Sequence, residues 1–143
     1  MNIFIDTEFN SFQGELISIG LVSQNGDEFY EVLEIENDYD PWVQEHVVPY
    51  LEKKPCSKKD VQHRLTKFLN QYDSIHIISD WPEDIKYFCE LLITGPGFAI
   101  DYPLISMEIN RNINSVQSKV PHNALHDARA ILESWYNAYY LDD

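Results

Sequence analysis

The sequence predicts an α/β domain, a mixed sheet that opens with a three-stranded antiparallel meander and is flanked by helices. Three apolar-rich runs near the start are separated only by turn signals. Beyond them, helical periodicity alternates with short strand-like segments. Residues 2–5 form the first strand through Ile3, Phe4 and Ile5, and residues 15–22 the second, with Gly14 as the turn between them. Residues 28–34 form the third, and Asn25-Gly26 fits a tight hairpin before it. Asp40-Pro41 opens a helix over 40–48, with proline near the first turn and Pro49 helping to stop it. Ser57 caps a helix over 58–71, where Val61, Leu65, Phe68 and Leu69 recur at helical spacing. Ile75-His76-Ile77-Ile78 returns to the sheet, and a helix over 84–93 starts after Pro82 and is ended by Gly95-Pro96-Gly97. A short strand or loop near 98–107 leads into a polar stretch, 108–121. The last helix begins near Asn123 and runs through Ala128, Ile131, Leu132, Trp135 and Tyr139.

The 143 residues and 44% apolar content describe one domain, 1–143, able to bury a core without staples. No stretch approaches the roughly 18 apolar residues that a membrane span needs. The first residues lack a basic-then-apolar signal pattern, so a cytoplasmic location is expected. Cys56 and Cys89 have no metal-ligand spacing and read as reduced thiols. Net charge is −14, which repels a polyanion along its length, so short or single-stranded nucleic acid fits better than a long duplex. Lys53, Lys54, Lys58, Lys59, Arg64 and Lys67 crowd one short stretch. They read as a solvated helix face or, less commonly, as a track for phosphates.

Chemistry enters with the acidic residues. Period-two alternation after the first strand puts Asp6 and Glu8 on the same face. Asp84 opens the 84–93 helix, and His122 is followed five residues later by Asp127. Oxygen ligands suit a hard divalent cation, and two ions about 3.5–4 Å apart can clamp both reacting oxygens of a phosphodiester. Each motif alone has a plain explanation: a solvated strand end, a helix cap at Asp84, a loop histidine at His122.

Together, and in this order, Asp6-Thr7-Glu8, Asp84 and His122-Asn123-Ala124-Leu125-His126-Asp127 resemble the DEDDh 3′-to-5′ exonucleases of the RNase H-like superfamily, and among them a compact exoribonuclease subgroup. The resemblance spans residues 3 to about 136. It implies an RNase H-like (DnaQ-like) sheet and a two-metal site for Mg²⁺ or Mn²⁺, with Asp6 bridging, Glu8 and Asp127 completing one ion's shell, and Asp84 supporting the other. Asp80 competes with Asp84 but lies where many relatives carry Asn, so it is expected behind Asp84 as support. His122 is implied as the general base, a role suited to a side chain type that ordinarily titrates near neutrality.

The same resemblance implies a partner, the 3′ end of single-stranded nucleic acid, RNA before DNA, and family habit points to a homodimer. Phe9 and Phe12, just past the first motif, are candidates for stacking on terminal bases, although a core role fits Phe9 equally. Lys119 is a candidate substrate contact in the 108–121 loop, which reads either as a mobile surface loop or as a flap positioning His122. His126 points about 100° from Asp127 on a helix and reads as packing or hydrogen bonding. Arg129 reads as a surface salt bridge, and the stripe Trp135, Tyr136, Tyr139, Tyr140 as core or dimer contact. A DNA exonuclease and a non-catalytic protein-binding module of the same fold are the competing functions.

Overall fold

The computed structural model describes residues 1–141. In chain order the elements are β1 (Asn2–Phe9), β2 (Leu16–Ser23), β3 (Glu28–Val32), α1 (Pro41–His46), α2 (Lys58–Leu69), β4 (Ser74–Ser79), α3 (Pro82–Leu92), β5 (Ile93–Gly95), β6 (Phe98–Ala99), β7 (Leu104–Ile109) and α4 (Ala124–Tyr139). A mixed five-stranded sheet has the order β3-β2-β1-β4-β7. β1, β2 and β3 form the antiparallel meander, while β4 runs parallel to β1 and β7 parallel to β4. Central β1 and its parallel neighbour β4 therefore end at the same edge of the sheet. Acidic residues at those two strand ends are brought together by topology, although 70 or more positions separate them in the chain.

Side-chain alternation along the strands splits the core into two layers. Ile3, Ile5, Ile75 and Ile77 face Leu65 and Leu69 of α2 and Phe88 and Leu91 of α3. Phe4 and Ile78 face the other way, against Ile131 and Trp135 of α4. Ser57 caps α2 by accepting from the Asp60 amide at 3.1 Å, as expected of a serine just before the apolar periodicity. Among the described residues, no helix is long and apolar enough to cross a membrane.

Several boundaries differ from expectation. β1 runs on to Phe9 rather than stopping at residue 5, because its ladder to β2 continues through Asp6↔Gly20 and Glu8↔Ser18. The 40–48 helix is shorter, ending at His46, and Pro49 lies inside a following 3₁₀ turn, Val48–Tyr50, where its missing N–H costs no hydrogen bond. α3 starts at Pro82 for the same reason and stops at Leu92 rather than 93. Its stop is not the Gly95-Pro96-Gly97 segment: Ile93 is already extended and pairs with Ala99, so that segment is the tip of a small β5–β6 hairpin, with Gly97 at φ +76°. The stretch 98–107 resolves into β6 and the start of β7, which takes Glu108 and Ile109 from the expected loop.

Candidate metal centre

The site forms where the ends of β1 and β4 meet the first turn of α4. Asp6 and Glu8 alternate with Thr7 and so share the sheet face that α4 covers. The approach of α4 depends on Gly20, the ladder partner of Asp6. A Cβ on Gly20 would lie 2.5 Å from the Ala124 carbonyl oxygen and 2.7 Å from the Leu125 nitrogen, so the helix begins directly on strand backbone. Buried Asn123 fixes that start. Its Oδ1 accepts from the Leu125 and His126 amides at 3.0 and 3.1 Å, and its Nδ2 donates to the Tyr50 carbonyl at 2.8 Å. Asp127, in the first turn, then stands against Asp6.

Two carboxylate triads result. Asp6, Glu8 and Asp127 each offer an oxygen within 4.8 Å of the others, and so do Asp6, Asp80 and Asp84; Asp6 belongs to both. Asp80 is thus beside Asp84 rather than behind it. Asp84, expected either as ligand or as cap, is turned away from its own helix terminus. Its Oδ1 accepts from Thr7 N at 3.1 Å and Thr7 Oγ1 at 2.6 Å, and its Oδ2 from Ser79 Oγ at 2.9 Å. Strand neighbours of both triads therefore orient this one carboxylate. Thr7 and Ser79 carried no sequence signal of such a role, although Thr7 sits inside the acidic motif.

Electrostatically, the cluster is short of positive charge. Burial, then Asp84, Glu8, Asp127 and Asp80, push the Asp6 carboxyl well above its ordinary range. Burial, with Asp127 and Asp84, raises Glu8 to about 9. Asp84 rises to about 7, driven by burial and restrained by the Thr7 and Ser79 hydroxyls. Burial also raises Asp127, against Ser118 and His122, and raises Asp80, against Arg111. Among the described residues, the ion pairs all go elsewhere: Lys53 and Arg64 to Glu31, His76 to Glu108, His126 to Glu52 and Arg129 to Glu28. Asp6 Oδ2 and Asp127 Oδ1 are buried with no hydrogen-bond partner. Orphaned carboxylate oxygens are costly unless something cationic meets them. An all-oxygen donor set with two such orphans fits a hard divalent cation such as Mg²⁺ or Mn²⁺.

His122 is exposed beside Asp127 in the left-handed conformation, φ +69°. Its ring meets Trp42 edge-on at 5.3 Å, and Trp42 stacks on His46 at 4.6 Å. Nothing in the sequence singled out Trp42. It lines a groove with Glu8, Phe9, Phe12 and Glu83. Phe12 is 80% exposed there, while Phe9 stacks on Tyr87 at 4.8 Å and serves both groove and packing.

Lys119 is not part of that groove. It lines another, with Gln117, His126, Arg129 and Glu133 along the flank of α4. Two members of the basic stretch, Lys53 and Arg64, are committed to buried Glu31, both at 3.1 Å. His126 contacts Glu52 and Arg129 grips Glu28 with two nitrogens, in keeping with the structural roles expected of them. Arg111, from the polar loop, donates to the Asp80 carbonyl at 2.6 Å and lies over the Trp81 ring. Of the aromatic stripe only Trp135 is core; Tyr136, Tyr139 and Tyr140 are half exposed. No protein-family model matches the chain, and no curated protein matches it.

Proposed function

We propose that this chain is a metal-dependent 3′-to-5′ exonuclease of the DEDDh type on an RNase H-like fold, acting on single-stranded RNA or short oligoribonucleotides and releasing nucleoside 5′-monophosphates. The observation that carries the reading is the sharing of Asp6 between two carboxylate triads, one with Glu8 and Asp127 and one with Asp80 and Asp84. Two divalent ions held there would supply Lewis-acid stabilisation of the charge that develops on a phosphodiester.

The chain's own groups do the remaining work. Asp6, Glu8, Asp84 and Asp127 hold the ions, with Asp80 beside Asp84, and Thr7 and Ser79 keep the Asp84 carboxylate in one orientation. His122, exposed at the rim and next to Asp127, takes the proton of the attacking water at a ring nitrogen. Phe12 and Trp42 offer aromatic faces in the adjoining groove, and stacking there is worth about 1–3 kcal/mol per base without regard to sequence. Trimming one nucleotide after another calls for that tolerance. The preference for RNA rests on the resemblance of the motifs, and the −14 charge supports a short or single-stranded substrate.

The test is time-resolved digestion of 5′-labelled single-stranded RNA and its DNA counterpart with Mg²⁺ or Mn²⁺, alongside Asp6→Ala and His122→Ala. A ladder shortening from the 3′ end and lost in both variants is expected, faster on RNA. Cleavage of neither polymer with either metal would overturn the exonuclease reading.

A further inference from the structure

We propose that Arg111 binds the phosphate one linkage upstream of the bond that is cut, so that this side chain holds the strand retained after each cleavage. The inference rests on the exonuclease reading above and assigns a substrate contact to a residue outside the carboxylate triads. β1, β4 and β7 run parallel, so their C-terminal ends lie in that order along one edge of the sheet. The groove of Phe12 and Trp42 adjoins the end of β1, the triads lie at the ends of β1 and β4, and Arg111 follows the end of β7 by two residues. A single strand whose terminal base enters the groove therefore crosses the triads and leaves toward Arg111. Chemistry gives the same direction. His122 stands beside Asp127, in the triad with Glu8, so the attacking water enters there and the leaving O3′ falls at the triad of Asp80 and Asp84. That oxygen belongs to the retained strand.

The guanidinium is fixed in place before any substrate arrives. The Asn110 amide donates to the Ser79 carbonyl at 2.7 Å and Ile113 is buried, which anchors the chain on both sides of Arg111. Arg111 Nη1 donates to the Asp80 carbonyl at 2.6 Å, and the guanidinium lies over the Trp81 ring, 4.8 Å from its centroid. Trp81 is pinned in turn: its Nε1 donates to Glu83 at 2.7 Å and its amide to Ser79 Oγ at 3.0 Å. The same Ser79 hydroxyl donates to Asp84, so this platform and the second triad share one support. A single bond to a neutral carbonyl leaves the charge and most of the N–H donors of Arg111 unspent. Among the described residues Arg111 forms no salt bridge, whereas Arg64 is held by Glu31 and Arg129 by Glu28. A cation is needed at this point. The five carboxylates of the triads outweigh two divalent ions by one charge, and an upstream phosphate beside them adds another. A fixed guanidinium matches a phosphate with paired N–H groups.

Fluorescence anisotropy of 5′-labelled single-stranded oligoribonucleotides tests this, with Mn²⁺ present and in a His122→Ala background that spares the substrate. One oligomer is unmodified, one carries an uncharged methylphosphonate at the second linkage from the 3′ end, and one carries it at the fourth. With Arg111 in place, the second-linkage methylphosphonate is expected to weaken binding about tenfold or more, and the fourth-linkage one far less. With Arg111→Gln, the unmodified oligomer should bind about tenfold more weakly, and the second-linkage methylphosphonate should cost nothing further. Mn²⁺ affinity, read by calorimetry, should not fall in that variant. Equal loss at both linkages, or a second-linkage loss that persists in Arg111→Gln, would overturn the proposal. So would a fall in Mn²⁺ affinity, which would make Arg111 a support for Asp80 instead. Binding of none of the oligomers by either chain would overturn the exonuclease reading as well.

Discussion

The carbonyl oxygen of Ala124 occupies the space over Gly20 that a side chain would need, 2.5 Å from the place of a Cβ. Because Gly20 is also the ladder partner of Asp6, this contact sets how far Asp127 stands from Asp6 and Glu8. Gly20→Ala must push α4 outward. A cost of about 1–3 kcal/mol in stability is expected from the overpacking, and misplacement by about 1 Å can cost about 10²-fold in turnover. Thermal unfolding and Mn²⁺ calorimetry read the two effects separately. Unchanged metal affinity would show that the helix can shift without opening the triad.

Crowded carboxylates predict an unusual pH dependence for the metal-free chain. Folding raises Glu8 from 4.5 to about 9 and Asp84 from 3.8 to about 7, so the folded state binds more protons than the unfolded chain across those windows. Stability then falls as pH rises, through about 4 to 7 for Asp84 and on to about 9 for Glu8. The melting temperature without metal should decline from about pH 5 to 9, and saturating Mg²⁺ or Mn²⁺ should flatten the decline. Metal binding at neutral pH should release protons, visible as a dependence of the calorimetric heat on the buffer's ionisation enthalpy. A flat metal-free profile would mean that the cluster opens to water.

Thr7 makes the shortest contact to Asp84, 2.6 Å from its Oδ1, and that bond is the strongest influence holding the carboxyl down. Thr7→Val keeps the shape and deletes the donor. Asp84 should then titrate higher, so half-maximal metal binding at fixed pH requires more Mn²⁺, with the loss shrinking as pH is raised. Thr7→Ser should restore the wild-type profile. Equal weakening at every pH would assign the effect to strand packing instead.

The fold's order was legible because its signals are local. Apolar-rich runs between turn signals marked the meander, Asn25-Gly26 its hairpin, and Ser57 and Asn123 the starts of two helices. The ends were harder. Ile93 leaves α3 for a strand because it finds Ala99 across a turn, a pairing with no trace in helical periodicity. At the site, the residues within named motifs could be chosen from the chain, but Asp80 could not be placed beside Asp84, because that depends on how β4 ends against β1. Trp42 and Ser79 act only through neighbours that folding supplies, and Lys119 faces the flank of α4 for the same reason.

His122, the proposed general base, also has a strained backbone, and one substitution separates the two. At φ +69° it occupies a region that costs a non-glycine residue about 1 kcal/mol or more. Pro121 and Asn123, the N-cap of α4, flank it, and Trp42 meets its ring edge-on. His122→Gly relieves the backbone and removes the imidazole, so this variant should be as stable as the wild type or more so, with Mn²⁺ affinity unchanged and turnover down about 10²–10⁴-fold. His122→Ala should match it in turnover but fall below it in stability. If the loss comes from a missing base, added imidazole should restore part of the activity of the glycine variant. Loss of Mn²⁺ binding in both variants would instead make His122 a support for Asp127, and the base would have to be sought elsewhere.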